Sequence, residues 1–160
     1  MIATFDTACG PLWISGGKEA VEAVSWNALE GAPHQGDLDW VLSAFDAYFK
    51  GRTKSFPGTL LFMGPGTLWV RTPQNSQPLV SSQHILNVIE KIPYGTTMTY
   101  AEVAVSSGRP GAARAVGAVC RSNPIPILVP CHRVVGHLSL GGYTPGIHLK
   151  EYLLKHEGGL

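Results

Sequence analysis

A chain of 160 residues, 44% hydrophobic and 14% charged, has enough apolar content to bury a core as one domain or as two small ones. No apolar run approaches the ~20 residues of a membrane span. The start, "MIATFDTACGPLW", lacks the basic residues and apolar core of a signal peptide. No membrane partner is therefore expected, and a cytoplasmic location is (nuclear in a eukaryote). The formal net charge of +1 is unevenly spread: residues 1–90 hold five Lys/Arg against eight acids, and residues 91–160 hold seven against three. That asymmetry points the second half toward a polyanion.

The three cysteines, Cys9, Cys120 and Cys131, are too few and too scattered for a disulfide framework. With no CxxC and no Cys/His cluster, no metal and no cofactor are expected. Cys9 and Cys120 read as small hydrophobes.

Taken in chain order, "TACGPLWISGG" predicts a short strand pair. "LDWVLSAFDAYFKG" places Leu38, Val41, Leu42, Phe45, Tyr48 and Phe49 at helical spacing, with Asp37 as cap and Gly51 as stop. "GTLLFMGPGTLWVRT" reads as strand and turn. "TPQNSQPLV", near 72–80, is polar with two prolines and reads as a linker. It divides the chain into an N-terminal α/β domain, 1–75, and a C-terminal domain, 76–160.

Beyond it, "SSQHILNVIEKI" is a helix closed by Pro93. "TYAEVAVSSG" is a short helix with Thr99 as cap and Glu102 three residues on, the pattern of a capping box. After the turn "GRPGA", "AARAVGAVCRS" makes a second helix of small residues, so the pair has the outline of a helix-turn-helix. "NPIPILVP" predicts a buried strand fenced by prolines. "GGYTPG" is a loop. "IHLKEYLLKHEGG" is a final helix with Leu149, Tyr152, Leu153 and His156 on one side and Gly158 as its stop. The fold class is α/β (α+β): a small sheet-plus-helix domain followed by a mostly helical one.

Cys131 stands at the end of the apolar run, in "IPILVPCHRV". Consecutive strand side chains point to opposite faces. Cys131 and His132 can therefore share a pocket only if the chain turns at the cysteine. An imidazole and a guanidinium beside a thiol favour its thiolate, and a histidine-activated thiolate is a nucleophile. The local pattern leaves two readings open, nucleophile and structural cysteine.

Three stretches together, "IPYGTTMTYAEVA", "ARAVGAVCRSNPIPILVPCHRVV" and "GGYTPGIHLKEYLLKHEG", resemble the O6-alkylguanine-DNA alkyltransferases, suicidal DNA repair proteins, over roughly Ile92 to Gly158. The resemblance implies that Cys131 is the alkyl acceptor, attacking the alkyl carbon on O6 of a damaged guanine. It implies that His132 takes the thiol proton through a water and that Glu157 orients His132. Tyr100 would donate to the guanine ring and help rotate the nucleotide out. Extrusion of the base from the duplex is required before reaction. Arg114 would fill the vacated stack, and the thin helix carrying Ala113, Ala115 and Gly117 would enter the minor groove.

By the same resemblance, Pro126, Val134, Tyr143, Thr144 and Lys150 build the base pocket, with the Val134 carbonyl reading the guanine amino group. Asn123 is the hinge before the cysteine segment, and Arg133 is a structural arginine tying the two domains together. The implied partner is double-stranded DNA containing O6-alkylguanine, bound by a monomer without metal or cofactor. Three departures stand out: Ser139 where a glycine is usual, Pro145 in the pocket loop, and Ser81 and Leu86 where aromatics are usual. Pro145 fixes φ and removes an N–H, so a stiffer loop is expected.

Three competing readings remain. An alkyltransferase-like protein that binds damage without activity would lack the acceptor cysteine. A helix-turn-helix regulator would have no use for His132 and Glu157 beside Cys131. A thiol hydrolase would turn over repeatedly.

Overall fold

The computed structural model describes residues 1–18, 20–56, 61–64, 67–70 and 81–160. The chain divides into two compact units, Met1–Ser76 and Gln77–Leu160. The expected linker at 72–80 lies outside the described residues.

In the first unit, strands β1 (Ile2–Thr7) and β2 (Gly10–Gly16) form an antiparallel hairpin closing on the pair Thr7 and Gly10; the stretch 7–17, expected to hold both strands of a pair, supplies only the turn and β2, and the partner strand precedes it. The Thr7 hydroxyl donates to the Gly10 carbonyl across the turn at 2.7 Å. Cys9 sits in that turn and is exposed, so it is not the buried hydrophobe expected of it. A third strand, β3 (Val21–Ser25), which periodicity did not flag, pairs antiparallel with β2 past an irregularity at Ser15/Gly16.

Alternation on β2 sends Leu12 and Ile14 inward, where each is fully buried. Against them helix α1 (Asp39–Phe49) contributes buried Val41, Ala44, Phe45 and Tyr48. Phe5, Phe45, Phe49 and Phe56 cluster there, with ring centroids 5.2–6.4 Å apart. Burying such a ring stabilises by about 1.5–3 kcal/mol. The cap position of α1 is Leu38, which makes no side-chain cap bond. Asp37, the expected cap, instead pairs with Lys18 at 3.4 Å. Gly51 does stop the helix, at φ +67° with its N–H on the Tyr48 carbonyl. Strands β4 (Leu61–Gly64) and β5 (Thr67–Val70) pair antiparallel, as a strand-and-turn reading requires.

In the second unit, α2 (Ser81–Glu90) buries Ile85, Leu86 and Ile89 and ends before Pro93. Strand β6 (Met98–Thr99) leads into α3 (Tyr100–Ser106) through the expected capping box. The Thr99 N–H donates to the Glu102 carboxylate at 2.7 Å, and the Glu102 N–H donates to the Thr99 hydroxyl at 3.2 Å. Helix α4 (Ala113–Arg121) follows a turn and packs through Val116 and Val119.

The segment 125–130 is not the strand predicted for it. It is buried throughout, but it folds into a compact loop in which the Val129 N–H reaches back to the Ile125 carbonyl at 3.0 Å. Prolines at 124, 126 and 130 remove three of the ladder donors a strand here would need. Ile127 takes φ +74°, a conformation that costs a β-branched residue on the order of 1–3 kcal/mol. The chain then turns through a single 3-10 turn, Cys131–Arg133, into strand β7 (Val134–Val135), which pairs parallel with β6.

Helix α5 (Ile147–Glu157) closes the unit and stops at Gly158, φ +76°. Its buried face is Leu149, Lys150, Leu153, Leu154 and Glu157. Tyr152 and His156, expected on that face, are half-buried beside it. Among the described residues no helix is long and apolar enough to cross a membrane.

Candidate active site

Asn123, just past α4, ties the compact loop shut. Its side-chain oxygen accepts from the Ile125 N–H at 3.1 Å, and its amide donates to the Val129 carbonyl at 2.9 Å and to Cys131 Sγ at 3.2 Å. The sulfur is thus held by the segment that delivers it. Cys131 is 4% exposed.

Burial holds the thiol above its ordinary pKa, opposed in decreasing order by the Asn123 amide, the Lys150 charge and the backbone N–H groups of the turn. The expected depression by His132 and Arg133 is not found. Arg133 is committed elsewhere. Its Nε and Nη2 donate to the two oxygens of Glu157 at 2.9 and 2.8 Å, and its Nη1 donates to the Ile92 carbonyl at 2.7 Å. All of these partners belong to the second unit.

Glu157 is 6% exposed, which a lone acid at a helix end would not be. The arginine fork explains it, since a buried carboxylate needs both charge and donors. Its Oε1 lies 2.9 Å from His132 Nε2. A carboxylate can only accept, so the neutral ring carries its proton on Nε2 and presents a bare Nδ1. That Nδ1 is buried and has no hydrogen-bond partner among the described residues. Burial lowers the pKa of His132, with the Glu157 contacts opposing, so the ring favours its free-base form. The chain Arg133–Glu157–His132 ends in a preset proton acceptor one residue from the sulfur.

Beside Cys131 lies a cavity of about 640 Å³. Six residues expected at the site line it: Tyr100, Ala113, Arg114, Gly117, Tyr143 and Thr144. Cys120, Arg121 and Gly142 also line it and were not anticipated. The helical spacing 114, 117, 121 was the available signal for Arg121, because those positions share one face. Cys120 is half-buried, and desolvation pushes its thiol up to about 12, so it stays protonated. Ala115 is exposed on α4, and Pro126 is buried in the compact loop; neither lines the cavity.

Val134 and Lys150 sit behind the wall. Lys150 is fully buried, and its ammonium donates to the Val134 carbonyl at 2.5 Å and to the Gly142 carbonyl at 3.0 Å. Tyr100 donates to the same Gly142 carbonyl at 3.5 Å. Its phenol is held above the ordinary pKa, first by burial and then by the neighbouring thiols, which keeps it a proton donor. No group of three or more potential metal ligands occurs among the described residues.

Residues 81–159 match the family described as 6-O-methylguanine DNA methyltransferase, DNA binding domain. Over 167 residues the chain is 36% identical to the methylated-DNA–protein-cysteine methyltransferase of Methanosarcina acetivorans, covering 98% of this chain and 97% of the relative. The chain belongs to the methylated-DNA–protein-cysteine methyltransferase family. The fold agrees: the O6-methylguanine methyltransferase of Mycobacterium tuberculosis superposes with a TM-score of 0.81 at 33% identity, covering 98% of this chain and 92% of that one. The same organism's OGT in complex with DNA superposes at 0.80, also at 33% identity, covering 97% and 91%. Both coverages span the two units, so the family resemblance seen in the C-terminal motifs extends to the N-terminal sheet and helix.

Proposed function

We propose that this methyltransferase repairs duplex DNA by one irreversible transfer of a methyl or alkyl group from O6 of guanine to Cys131, acting as a monomer. The observation that carries the reading is the cysteine itself: a free thiol at a cavity wall, followed directly by a histidine whose bare nitrogen is preset by a buried carboxylate.

The α4 helix enters the DNA minor groove through its small residues, Ala113, Ala115 and Gly117. The damaged guanine leaves the stack, and Arg114 fills the space it vacates. A planar cation suits that role because it stacks on bases and donates to the orphaned partner. Arg114 is exposed on the cavity rim, where a flipped base must pass.

Inside, Tyr143 and Thr144 shape the pocket; behind that wall Lys150 fastens the Val134 carbonyl, whose remaining lone pair reads the guanine amino group, and Pro126 supports the pocket from the compact loop. His132 Nδ1 removes the Cys131 proton through a water. The thiolate attacks the alkyl carbon in line, forming the S–C bond as the C–O6 bond breaks. Tyr100 gives a proton to the leaving guanine, which departs neutral. Glu157 balances the imidazolium, and Asn123 and Arg133 hold the segment in place. The product is a thioether, which water does not cleave, so each chain acts once. A thiol hydrolase needs a labile intermediate, and this pathway forms none. A damage-binding relative without activity has no use for an acceptor sulfur.

The test is the mass of the intact protein after incubation with duplex DNA carrying labelled O6-methylguanine. One methylene's worth of added mass, mapped to Cys131 and gained once, is expected. Label on Cys9 or Cys120, or repeated turnover, would overturn the reading. Cys131→Ala is expected to abolish transfer and retain DNA binding.

A further inference from the structure

Gly141 and Gly142 look alike in sequence but not in structure. Gly141 has φ +72°, and a Cβ built there would lie 2.8 Å from Tyr100 Cε2 and 2.9 Å from its hydroxyl oxygen. At Gly142 a Cβ meets nothing within 4 Å. The Gly141 position thus accepts glycine for two separate reasons. Its backbone conformation is costly for an L side chain, and the phenol ring of Tyr100 rests directly against it.

The next residue holds the same, hydroxyl end of that ring. The Gly142 carbonyl accepts from the Tyr100 hydroxyl at 3.5 Å and from the buried Lys150 ammonium at 3.0 Å. The same ammonium donates to the Val134 carbonyl on β7 at 2.5 Å. Lys150 therefore fastens this loop to the strand that follows the cysteine. Its Nζ also lies 5.8 Å from the Tyr100 ring centroid, within cation–π reach. The loop is stiffened locally by the Gly141 N–H donating to the Ser139 hydroxyl at 3.2 Å. Ser139 thus has a place here: it braces the turn that brings Gly141 under the ring.

We propose that Gly141 is a positioning residue for Tyr100: together with the Gly142 carbonyl fastened by Lys150, it forms a seat that holds the phenol at the cavity wall, aimed for proton donation to the leaving base. The proposal rests on the assignment of Tyr100 as proton donor in alkyl transfer. The Gly142 carbonyl keeps Lys150 when Tyr100 turns its hydroxyl to the incoming base, so the seat survives the exchange of partners. A methyl group at 141 would push the ring outward by its edge and leave Lys150 and Val134 in place.

The test compares single-turnover methyl transfer from O6-methylguanine duplex DNA by the wild-type protein, Gly141→Ala and Gly51→Ala. Gly51 also has positive φ, +67°, with open space around it, so its alanine variant carries comparable backbone strain without touching Tyr100. Gly141→Ala is expected to lose roughly tenfold or more in the transfer rate at saturating DNA, a part of the range for a misplaced general acid. The half-saturating DNA concentration should stay unchanged, and Gly51→Ala should match wild type.

In a Tyr100→Phe background Gly141→Ala should cause little further loss, because the hydroxyl it displaces is already gone. Equal losses in both backgrounds, or a Gly141→Ala rate equal to that of Gly51→Ala, would overturn the seat. Should Gly141→Ala fail to fold, Lys150→Met replaces it, releasing the Gly142 carbonyl. The same non-additivity with Tyr100→Phe is expected, and additive losses would refute the seat. Failure of the wild-type protein to take up any methyl group would instead refute the alkyl-transfer reading itself.

Discussion

Replacing Glu157 by Gln separates what the carboxylate does for stability from what it does for chemistry. Glu157 Oε1 accepts from both His132 Nε2 and Arg133 Nη2, and its Oε2 accepts from Arg133 Nε. An amide of the same shape has one acceptor and one donor. If the Gln oxygen keeps the Oε1 position, its NH₂ faces the Arg133 Nε–H, and the imidazolium formed during the reaction has no counter-charge. If the amide turns over, its NH₂ faces His132 Nε2, which must then accept; the ring proton moves to Nδ1 and the base is lost. Either orientation also leaves the nearly buried Arg133 guanidinium without an anion. Breaking such a pair from one side costs about 3–5 kcal/mol.

Denaturant titration of Glu157→Gln should therefore show a loss of that order relative to wild type. Rapid-quench measurement of transfer at saturating duplex DNA should show a rate lower by about 10²–10⁴, the range for losing a positioned general base. Binding to DNA should be retained, since Glu157 lies behind His132 rather than on the cavity wall. A folded variant that transfers within threefold of the wild-type rate would refute the assignment of His132 as a base held by Glu157.

Other expectations follow from the same geometry. Arg114→Ala should react more slowly with duplex DNA yet react at a near-normal rate with a free O6-alkylguanine base, measured in parallel; equal losses would remove the stacking role. Asn123→Ala removes the bonds to the Val129 carbonyl and to Cys131 Sγ, so unfolding free energy should fall by about 1–3 kcal/mol. Burial lowers the pKa of His132 from its ordinary value of 6.5, so below that pH the unfolded chain binds a proton that the folded one refuses. Stability should consequently fall as pH drops below about 6.5, and His132→Asn should flatten that part of the curve in thermal melts across pH. DNA affinity should fall linearly on a log–log plot against salt, as phosphate contacts require.

Some misreadings in the sequence share one cause. "NPIPILVP" has the composition of a buried strand, and it is buried; yet its prolines cannot feed a ladder, so the run closes on itself with Asn123 supplying the missing bonds. Composition reports burial well and backbone path poorly. Lys150 and Glu157 illustrate the converse. Nothing in a helix reading marks one lysine or one glutamate as buried, because burial of a charge depends on partners supplied by other elements: Val134 and Gly142 for the first, His132 and Arg133 for the second.

Local signals were legible wherever the physics is local. The capping box at Thr99 and Glu102, the stops at Gly51 and Gly158 and the apolar periodicity of α1 and α2 all depend on neighbours within a few residues. The specific run around Cys131 carried the family likeness in the same way. What could not be read from the chain were the thiol's raised pKa, the arginine fork on Glu157, the bare nitrogen of His132 and the seat beneath Tyr100. The first is a matter of burial, and the others join residues roughly 16 to 42 positions apart; all are set by distances and desolvation that exist only once α3, the cysteine turn, the glycine loop and α5 are packed together.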